Sequence, residues 1–574
     1  MNLSRREFLQ LIAAASALGL ASPSGLLAKT KAEKSSELYD IKPFGNVSLL
    51  HFTDCHAQLV PAYYREPDIH LGIGKAMENQ IPHYVGKFLL DRYGIDHGSH
   101  KAYALTYLEF AELAKTYGKT GGFAHMANLI KQLRASRPGS LLLDGGDTWQ
   151  GSATALWTKA QDMVDAALLL GVDVMTGHWE FTYGEERLRE VLENDFAGKI
   201  DFVAQNVVDN EFEDPVFNPY VIKEINNVPV AIIGQAFPYT PIANPRHFVE
   251  SWQFGINEER LQKQINAAKS AGAKIAVLLS HNGMDIDLKL AGRVTGLDAI
   301  LGGHTHDAVP VAVEVSNAGG KTVVVNSGTT GKFVSVLDFD YRNGKVQGYK
   351  YHLVLVFSNL LPADKEMAAH IEKVRAPYQQ QLSESLAVTN ELLYRRGTFS
   401  GTFDQIIVDA LMKHQDAEIA FSPGFRWGTT ILPGQAITME DLMAQTAITY
   451  PEVRRTPMSG ERLKEVLEDI ADNRFSHDPY YQQGGDMVRI GGLKYTIDPT
   501  AVRGKRISDM QLNGKVIDAN KKYNVAAWAG LDKNQSGPKI WDVVAEYLRH
   551  HKTITVSELN IPKIKNVNNN QGIA

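Results

Sequence analysis

The chain has 574 residues, 44% of them hydrophobic and 22% charged, with a formal net charge of -6. That length exceeds one ordinary core and predicts two domains, while the mild acidity excludes a basic nucleic-acid-binding surface. A single cysteine, Cys55, excludes an internal disulfide, so stability has to come from core burial.

Residues 1–28, MNLSRREFLQLIAAASALGLASPSGLLA, set Arg5 and Arg6 ahead of a short, alanine-rich apolar stretch. This is the pattern of a twin-arginine export signal. The apolar run from Leu9 to Ala21 is short for a membrane span, so cleavage after Ala21 or Ala28 is expected. The mature protein is then expected in the periplasm, with no membrane segment. Twin-arginine export carries folded proteins, which suits a chain that collects a metal before it leaves the cytoplasm.

From 45 to 358 the chain repeats one form. VSLLHFTD, SLLLDGGD, VPVAIIGQ, KIAVLLSH, LDAILGGH and KTVVVNSG are short apolar runs closed by polar or glycine-rich turns. GFAHMANLIKQLRAS and ERLQKQINAAKSAGA are helix-like stretches among them. The reading is a layered α/β domain whose strand ends carry Asp54, His56, Asp147, His281, His304 and His306, where such sheets bind ligands. The stretch from Leu59 to Lys119 holds seven tyrosines, among them Tyr63, Tyr64, Tyr103 and Tyr107, and reads either as a partner surface or as a self-packed lobe. Residues 359–389 read as a polar helical connector. A second domain over 390–560 has its own helices, FDQIIVDALMKHQ and GERLKEVLEDIADN, and strands, AEIAFS, KYTID and YNVAAWA. The polar tail IPKIKNVNNNQGIA is expected to be loose.

The chemistry lies at the strand ends. In Asp54-Cys55-His56 an extended segment points the two outer side chains the same way, towards one ion, and turns Cys55 away from it. The glycines before Asp147 let the backbone approach the site and leave its carboxylate free to bridge two cations. His304 and His306 again share a face. With His281 these residues form a mixed oxygen and nitrogen set for two divalent cations, able to activate water near neutral pH; manganese, zinc or iron would suit it.

HFTDCHAQL, GGFAHMANLI, LLLDGGDTWQGS, GHWEFTYG, LLSHNG, ILGGHTH and NSGTTGKFV follow in order the motif set of the metallophosphoesterase and 5'-nucleotidase superfamily. FDQIIVDAL, SPGFRWG and GLKYTIDP are similar to its C-terminal substrate domain. Within that superfamily DCHAQL, the long insertion before GGFAHMA, and above all GHWEFTYG resemble the SoxB thiosulfohydrolases of bacterial sulfur oxidation. The fold this implies is α/β: an N-terminal four-layer metallophosphoesterase-like β-sandwich flanked by helices, plus a C-terminal α/β 5'-nucleotidase-type domain.

The resemblance makes Asp54, His56, Asp147 and His306 the ligands of one metal. Asp147 then bridges to a second metal held by His178, His281 and His304, and manganese is the implied ion. Where phosphoesterases read Gly-Asn-His-Glu this chain reads Gly177-His178-Trp179-Glu180, so His178 replaces a ligand asparagine and Trp179 replaces the catalytic histidine. The implied catalytic residues are His178, Trp179 and Asp147. A bland reading of Trp179, packing against the sheet, stays open beside it.

Arg426 matches the family's substrate-binding arginine and is read as an oxyanion binder, against the alternative of an interdomain salt bridge, and Trp427 lines the same entrance or simply packs. The implied activity is release of sulfate from a cysteine S-thiosulfonate on a sulfur-carrier protein, SoxYZ, by a monomer. An exported 5'-nucleotidase or sugar-nucleotide hydrolase is the alternative, and a non-catalytic metal-bearing binding protein is a third. QQGGDMV places Asp486 where a nucleotidase holds an aromatic ring, which counts against a nucleobase.

Overall fold

The computed structural model describes residues 38–74, 81–533 and 536–573, and the expected export signal at 1–28 lies outside them. Two compact units emerge: one comprises the chain up to Tyr63, Leu90–Gln150 and Trp157–Ala376, the other Tyr64–Leu89, Gly151–Leu156 and the chain from Pro377. Among the described residues no helix is long and apolar enough to cross a membrane.

The first unit contains, in chain order, β1 (Val47–Phe52), β2 (Leu141–Asp144), β3 (Val174–Met175), β4 (Asp201–Phe202), β5 (Val208–Asp209), β6 (Tyr220–Ile225) and β7 (Val228–Gln235). It continues with β8 (Trp252–Gln253), β9 (Ile275–Ser280), β10 (Ala299–Gly302), β11 (Val313–Asn317), β12 (Gly320–Asn326), β13 (Phe333–Arg342) and β14 (Lys345–Leu355). Two six-stranded sheets form, ordered β14-β13-β1-β2-β3-β4 and β11-β12-β10-β9-β7-β6, and β5 pairs with β8 in a short ribbon. In each sheet four neighbouring strands run parallel, β1 to β4 in one and β12, β10, β9 and β7 in the other. The long hairpin of β13 and β14 extends the first sheet antiparallel, an element that the sequence pattern does not separate from its surroundings.

The sheets share one core, in which Leu49, Leu143 and Val174 meet Ile232, Val277 and Leu301. On the outer face of β1, Phe52 meets Phe123 of the helix Phe123–Ser136 edge to face. Helices Glu258–Ser270 and Met284–Arg293 lie against the second sheet. The layers therefore run helix, sheet, sheet, helix, and strands such as VSLLHF are buried at every position because both of their faces are covered.

The tyrosine-rich stretch is divided between the units. In the first, Tyr103 stacks on Phe110 and Tyr117, and its hydroxyl donates to the Gly118 carbonyl at 2.6 Å, so these rings are core of a small helical lobe and not a partner surface.

In the second unit the helix Thr402–Gln415 packs on the strand Ile419–Ser422, which pairs with Lys522–Trp528 and Arg489–Gly491. The end of the expected connector is sheet: Ser385–Thr389 pairs with Ala436–Thr438 and Thr553–Ile554. The tail is not loose. Lys563–Ile564 joins a sheet beside Leu493–Ile497, the His70 amide donates to the Gly572 carbonyl at 2.7 Å, and the Asn570 side-chain amide donates to the Gly72 carbonyl at 3.0 Å. Its polar composition misled because asparagine side chains serve here as partners for backbone groups, a use that composition does not reveal.

One buried ion pair closes the first unit near its N-terminal edge. Arg137 Nε donates to Asp338 Oδ1 at 2.9 Å and Nη2 to Asp338 Oδ2 at 3.0 Å, with side-chain exposures of 1% and 0%. Nη2 also donates to the Ile41 carbonyl, which ties the segment ahead of β1 to β13. Arg137→Ala is therefore expected to lose about 3–5 kcal/mol in denaturant unfolding, because it strands the Asp338 charge; a loss below about 1 kcal/mol would contradict a buried pair.

Candidate metal centre

Parallel strands bring their carboxyl ends to one edge of each sheet, and the loops that follow β1, β2, β3, β9 and β10 carry the predicted ligands. Asp54 and His56 were expected on an extended segment, yet β1 ends at Phe52. Beyond it the chain takes left-handed φ, +53° at Asp54 and +45° at His56. Asp147 (+58°), His304 (+73°) and His306 (+60°) do the same. Each such residue costs on the order of 1–3 kcal/mol and persists only when its surroundings over-determine it.

They do so here by backbone pairing across loops. Asp54 N donates to Gly146 O at 2.8 Å, His56 N to Asp147 O at 2.8 Å and Ala57 N to Thr148 O at 3.0 Å. The fit leaves no room at Gly303, where a Cβ would lie 2.4 Å from Thr53 Oγ1 and 3.0 Å from Asp54 Oδ2.

The seven predicted ligands gather into two buried groups that share one carboxylate: Asp54, His56, Asp147 and His306, and Asp147, His178, His281 and His304. His281 Nε2 lies 3.0 Å from Asp147 Oδ2, His178 Nδ1 3.1 Å from Asp147 Oδ1, and His306 Nε2 3.3 Å from Asp54 Oδ1. His56 Nε2 stands 3.0 Å from His306 Nε2 and 3.7 Å from Asp147 Oδ2. Ligand bonds of about 2.1 Å place neighbouring donors roughly 3.0 Å apart at right angles and roughly 3.4 Å apart in a tetrahedron, so these spacings fit coordination edges. Two carboxylates and five imidazoles suit a pair of borderline divalent cations.

Second contacts orient the rings. His281 Nδ1 pairs with the Gly145 carbonyl at 2.6 Å, which turns Nε2 towards the carboxylates. Thr53 Oγ1 and the His304 amide both donate to Asp54. Burial disfavours charge on His281, but Asp147 and Asp54 outweigh it and push that imidazole up to about 10. Burial dominates at His178 and brings it down to about 4. The imidazoles overcome burial at Asp147 and hold its carboxyl well below the usual range.

Trp179 is 5% exposed. Its backbone N–H donates to Asp147 Oδ1 at 2.8 Å, so its main chain serves the shared carboxylate while its ring lies 5.1 Å from that of His178. Phe237, which carried no signal in the sequence, packs 4.0 Å from the His178 ring and stacks at 4.1 Å on His304. Only its position after β7, in the same rim of loops, could have drawn attention to it. Cys55 is fully buried, and burial raises its thiol well above the ordinary range, as befits a core residue and not a nucleophile.

Arg426 and Trp427 belong to the second unit. Arg426 Nη2 donates to the Gly485 carbonyl at 2.9 Å and Nε lies 3.4 Å from Asp486 Oδ1, both partners within its own unit. Trp427, read as lining a substrate entrance or as simply packing, is 2% exposed and lies face to face on Phe425 at 4.0 Å. Packing is thus its visible role, and the neighbouring Phe425 is the more accessible of the two rings. Asp486 also faces Arg489, three residues on, at 3.3 Å and Arg396 and Arg474 at 3.9 Å, the last two drawn from distant parts of the chain, and sequence reasoning passed over all three.

Comparison with known proteins follows the same division. Residues 386–546 match the family model for the 5'-nucleotidase C-terminal domain. A structure titled sulfate thiohydrolase SoxB, from Thermus thermophilus, is 37% identical, with 92% of this chain and 98% of that chain covered at a TM-score of 0.87. The chain belongs to the 5'-nucleotidase family of the metallophosphoesterase superfamily. Bovine 5'-nucleotidase is 25% identical over 433 residues, 68% of this chain and 72% of that protein. A 5'-nucleotidase precursor, also from Thermus thermophilus and 20% identical, shares the fold at a TM-score of 0.72, covering 91% of this chain and 99% of its own. As members of this family are hydrolases, the chain is read as a hydrolase with a candidate dimetal site.

Burial raises the Asp486 carboxyl, but Arg426, Arg489, Arg396 and Arg474 outweigh it and hold it below the usual range. A depressed carboxyl contributes stability that is present above its unfolded pKa of about 4 and is lost as pH falls through the folded value. Asp486→Asn is accordingly expected to lower the melting temperature at pH 7, with the gap to wild type shrinking below about pH 4. A gap that stays constant down to about pH 3 would contradict the ion cluster.

Proposed function

We propose that the protein is an exported thiosulfohydrolase that releases sulfate from a cysteine S-thiosulfonate on a SoxYZ-type sulfur-carrier protein. The observation that carries this reading is the pair His178–Trp179, which stands where the wider superfamily places asparagine and its catalytic histidine. The SoxB likeness supports it. In the reaction a water oxygen bonds to the terminal sulfonate sulfur and the sulfur–sulfur bond breaks. Its electron pair stays on the inner sulfur, leaving a cysteine persulfide anion, sulfate and two protons.

Two divalent cations, manganese by family resemblance, would bring a water towards ionisation near neutral pH and offset charge on the sulfonate. The protein supplies the rest. Asp147 serves both ligand groups and is held by the Trp179 amide. By the family resemblance Arg426 would be the substrate-binding arginine, and a guanidinium suits sulfonate oxygens. A persulfide leaves as a stable anion and needs little protonation, so a general-acid histidine has less to do than with an alkoxide leaving group. Trp179 then excludes water and charge where that histidine would stand. Residues 1–28 direct export by the twin-arginine route to the periplasm, where the carrier would be met.

A 5'-nucleotidase activity is the second reading, favoured by the match over residues 386–546 and by the curated nucleotidase relatives. Against it stands Asp486, an arginine-bound carboxylate where the family resemblance would put a base-stacking ring. Loss of that stacking would weaken a nucleobase by about 1–3 kcal/mol.

The deciding assay presents manganese-loaded protein with a thiosulfonate-charged carrier and, in parallel, with a nucleoside monophosphate, and follows both anions by ion chromatography. Sulfate without phosphate is expected, and removal of the metal by a chelator should abolish it; phosphate alone would return the protein to the nucleotidases. Trp179→His is expected to gain phosphatase activity while losing little sulfate release. A folded, metal-loaded variant that is inactive on both substrates would give Trp179 a direct part in the reaction.

A further inference from the structure

Glu180 is fully buried in the short 3-10 turn Trp179–Tyr183, and its carboxylate accepts four backbone N–H groups. Oε1 accepts from Thr148 at 2.8 Å and Trp149 at 3.2 Å, and Oε2 from His178 at 2.8 Å and Asp147 at 3.2 Å. Two loops meet on this one side chain: the loop after β2, which carries the carboxylate common to both groups, and the loop after β3, which carries His178. The turn also returns a bond, since the Trp179 amide donates to Asp147 Oδ1. Asp147 is thus gripped through its backbone by the Glu180 side chain and through its side chain by the neighbouring backbone.

We propose that Glu180 is a positioning residue that locks His178 to Asp147 and so builds the second cation position, the one formed with His281 and His304; this rests on the dimetal reading of the centre. A carboxylate accepts at about four lone-pair directions, all of which are used, and the charge strengthens each bond. Both gripped ligands sit in backbone conformations that an unaided chain avoids: φ is +58° at Asp147, and His178 has φ -148° and ψ -78°. The other group depends on Glu180 less. Glu180 bonds the amides of Asp147, Thr148, Trp149 and His178 directly, whereas Asp54, His56 and His306 hang from the loops after β1 and β10, and Asp54 and His56 meet the Asp147 loop through its Gly146 and Asp147 carbonyls. Removing Glu180 should therefore uncouple His178 from Asp147 while leaving three of the four donors of the first group in place.

The test is titration of full-length metal-free protein with Mn2+, followed by electron paramagnetic resonance and by metal content after gel filtration. Wild type is expected to bind two ions per chain as a coupled pair. Folded Glu180→Gln should bind the first ion nearly as wild type and the second roughly 10- to 100-fold more weakly, as is usual when a supporting partner of a ligand is lost. Its spectrum should show the six-line signal of an isolated ion. Two ions bound as in wild type, or both sites weakened alike, would overturn the proposal, the latter because it is what general destabilisation does. If the glutamine variant fails to fold, Glu180→Asp keeps the charge but shortens the reach, and the same readings apply. Hydrogen exchange of metal-free wild type gives a separate check, with protected Thr148 and His178 amides expected and rapid exchange overturning the proposal. A wild type that never binds two ions would instead refute the dimetal reading.

Discussion

One carboxylate serving two groups of ligands is the constraint on which the centre depends. Asp147 has to face Asp54, His56 and His306 on one side and His178, His281 and His304 on the other. A residue in regular strand geometry presents its side chain to a single face. The left-handed turn at Asp147 removes that limit, and its neighbours yield to it: glycines precede it, the Trp179 amide fixes its oxygen, and Glu180 holds its backbone. The strain concentrated at five of the seven ligands is the counterpart of bringing so many donors within a few ångström of one another.

The sandwich is what makes room for this arrangement. Parallel strands in both sheets end on a rim of loops, so residues as distant in sequence as Asp54 and His304 become neighbours, with the His304 amide donating to the Asp54 carboxylate. The two sheets meet through aliphatic side chains in a core that excludes water, and that rigidity is what holds strained loops in register. Helices on the outer faces complete the burial and explain why a strand such as VSLLHF is buried without alternation.

The second unit follows a different principle. Its charge is organised around Asp486, which several guanidiniums approach. Burying these cations is tolerable because a carboxylate lies among them.

By itself the sequence determined the layered α/β class, the strands from VPVAIIGQ to KTVVVNSG, and the candidates Asp54, His56, Asp147, His281, His304 and His306, because buried parallel strands are written as short apolar runs whose polar endings mark the rim; His178 came only from the motif resemblance. Only the tertiary structure decided how those residues reach one another. Alternation along an extended strand gave the right partners for Asp54 and His56 for the wrong reason, since their conformation is imposed by hydrogen bonds from the loop around Asp147 and not by local preference. The packing of Phe237 on two imidazoles, the approach of Arg396 to Asp486, and the anchoring of the asparagine-rich tail all join segments far apart in the chain. Local periodicity records which face of an element is buried; which other element covers that face is settled only when the whole chain has packed.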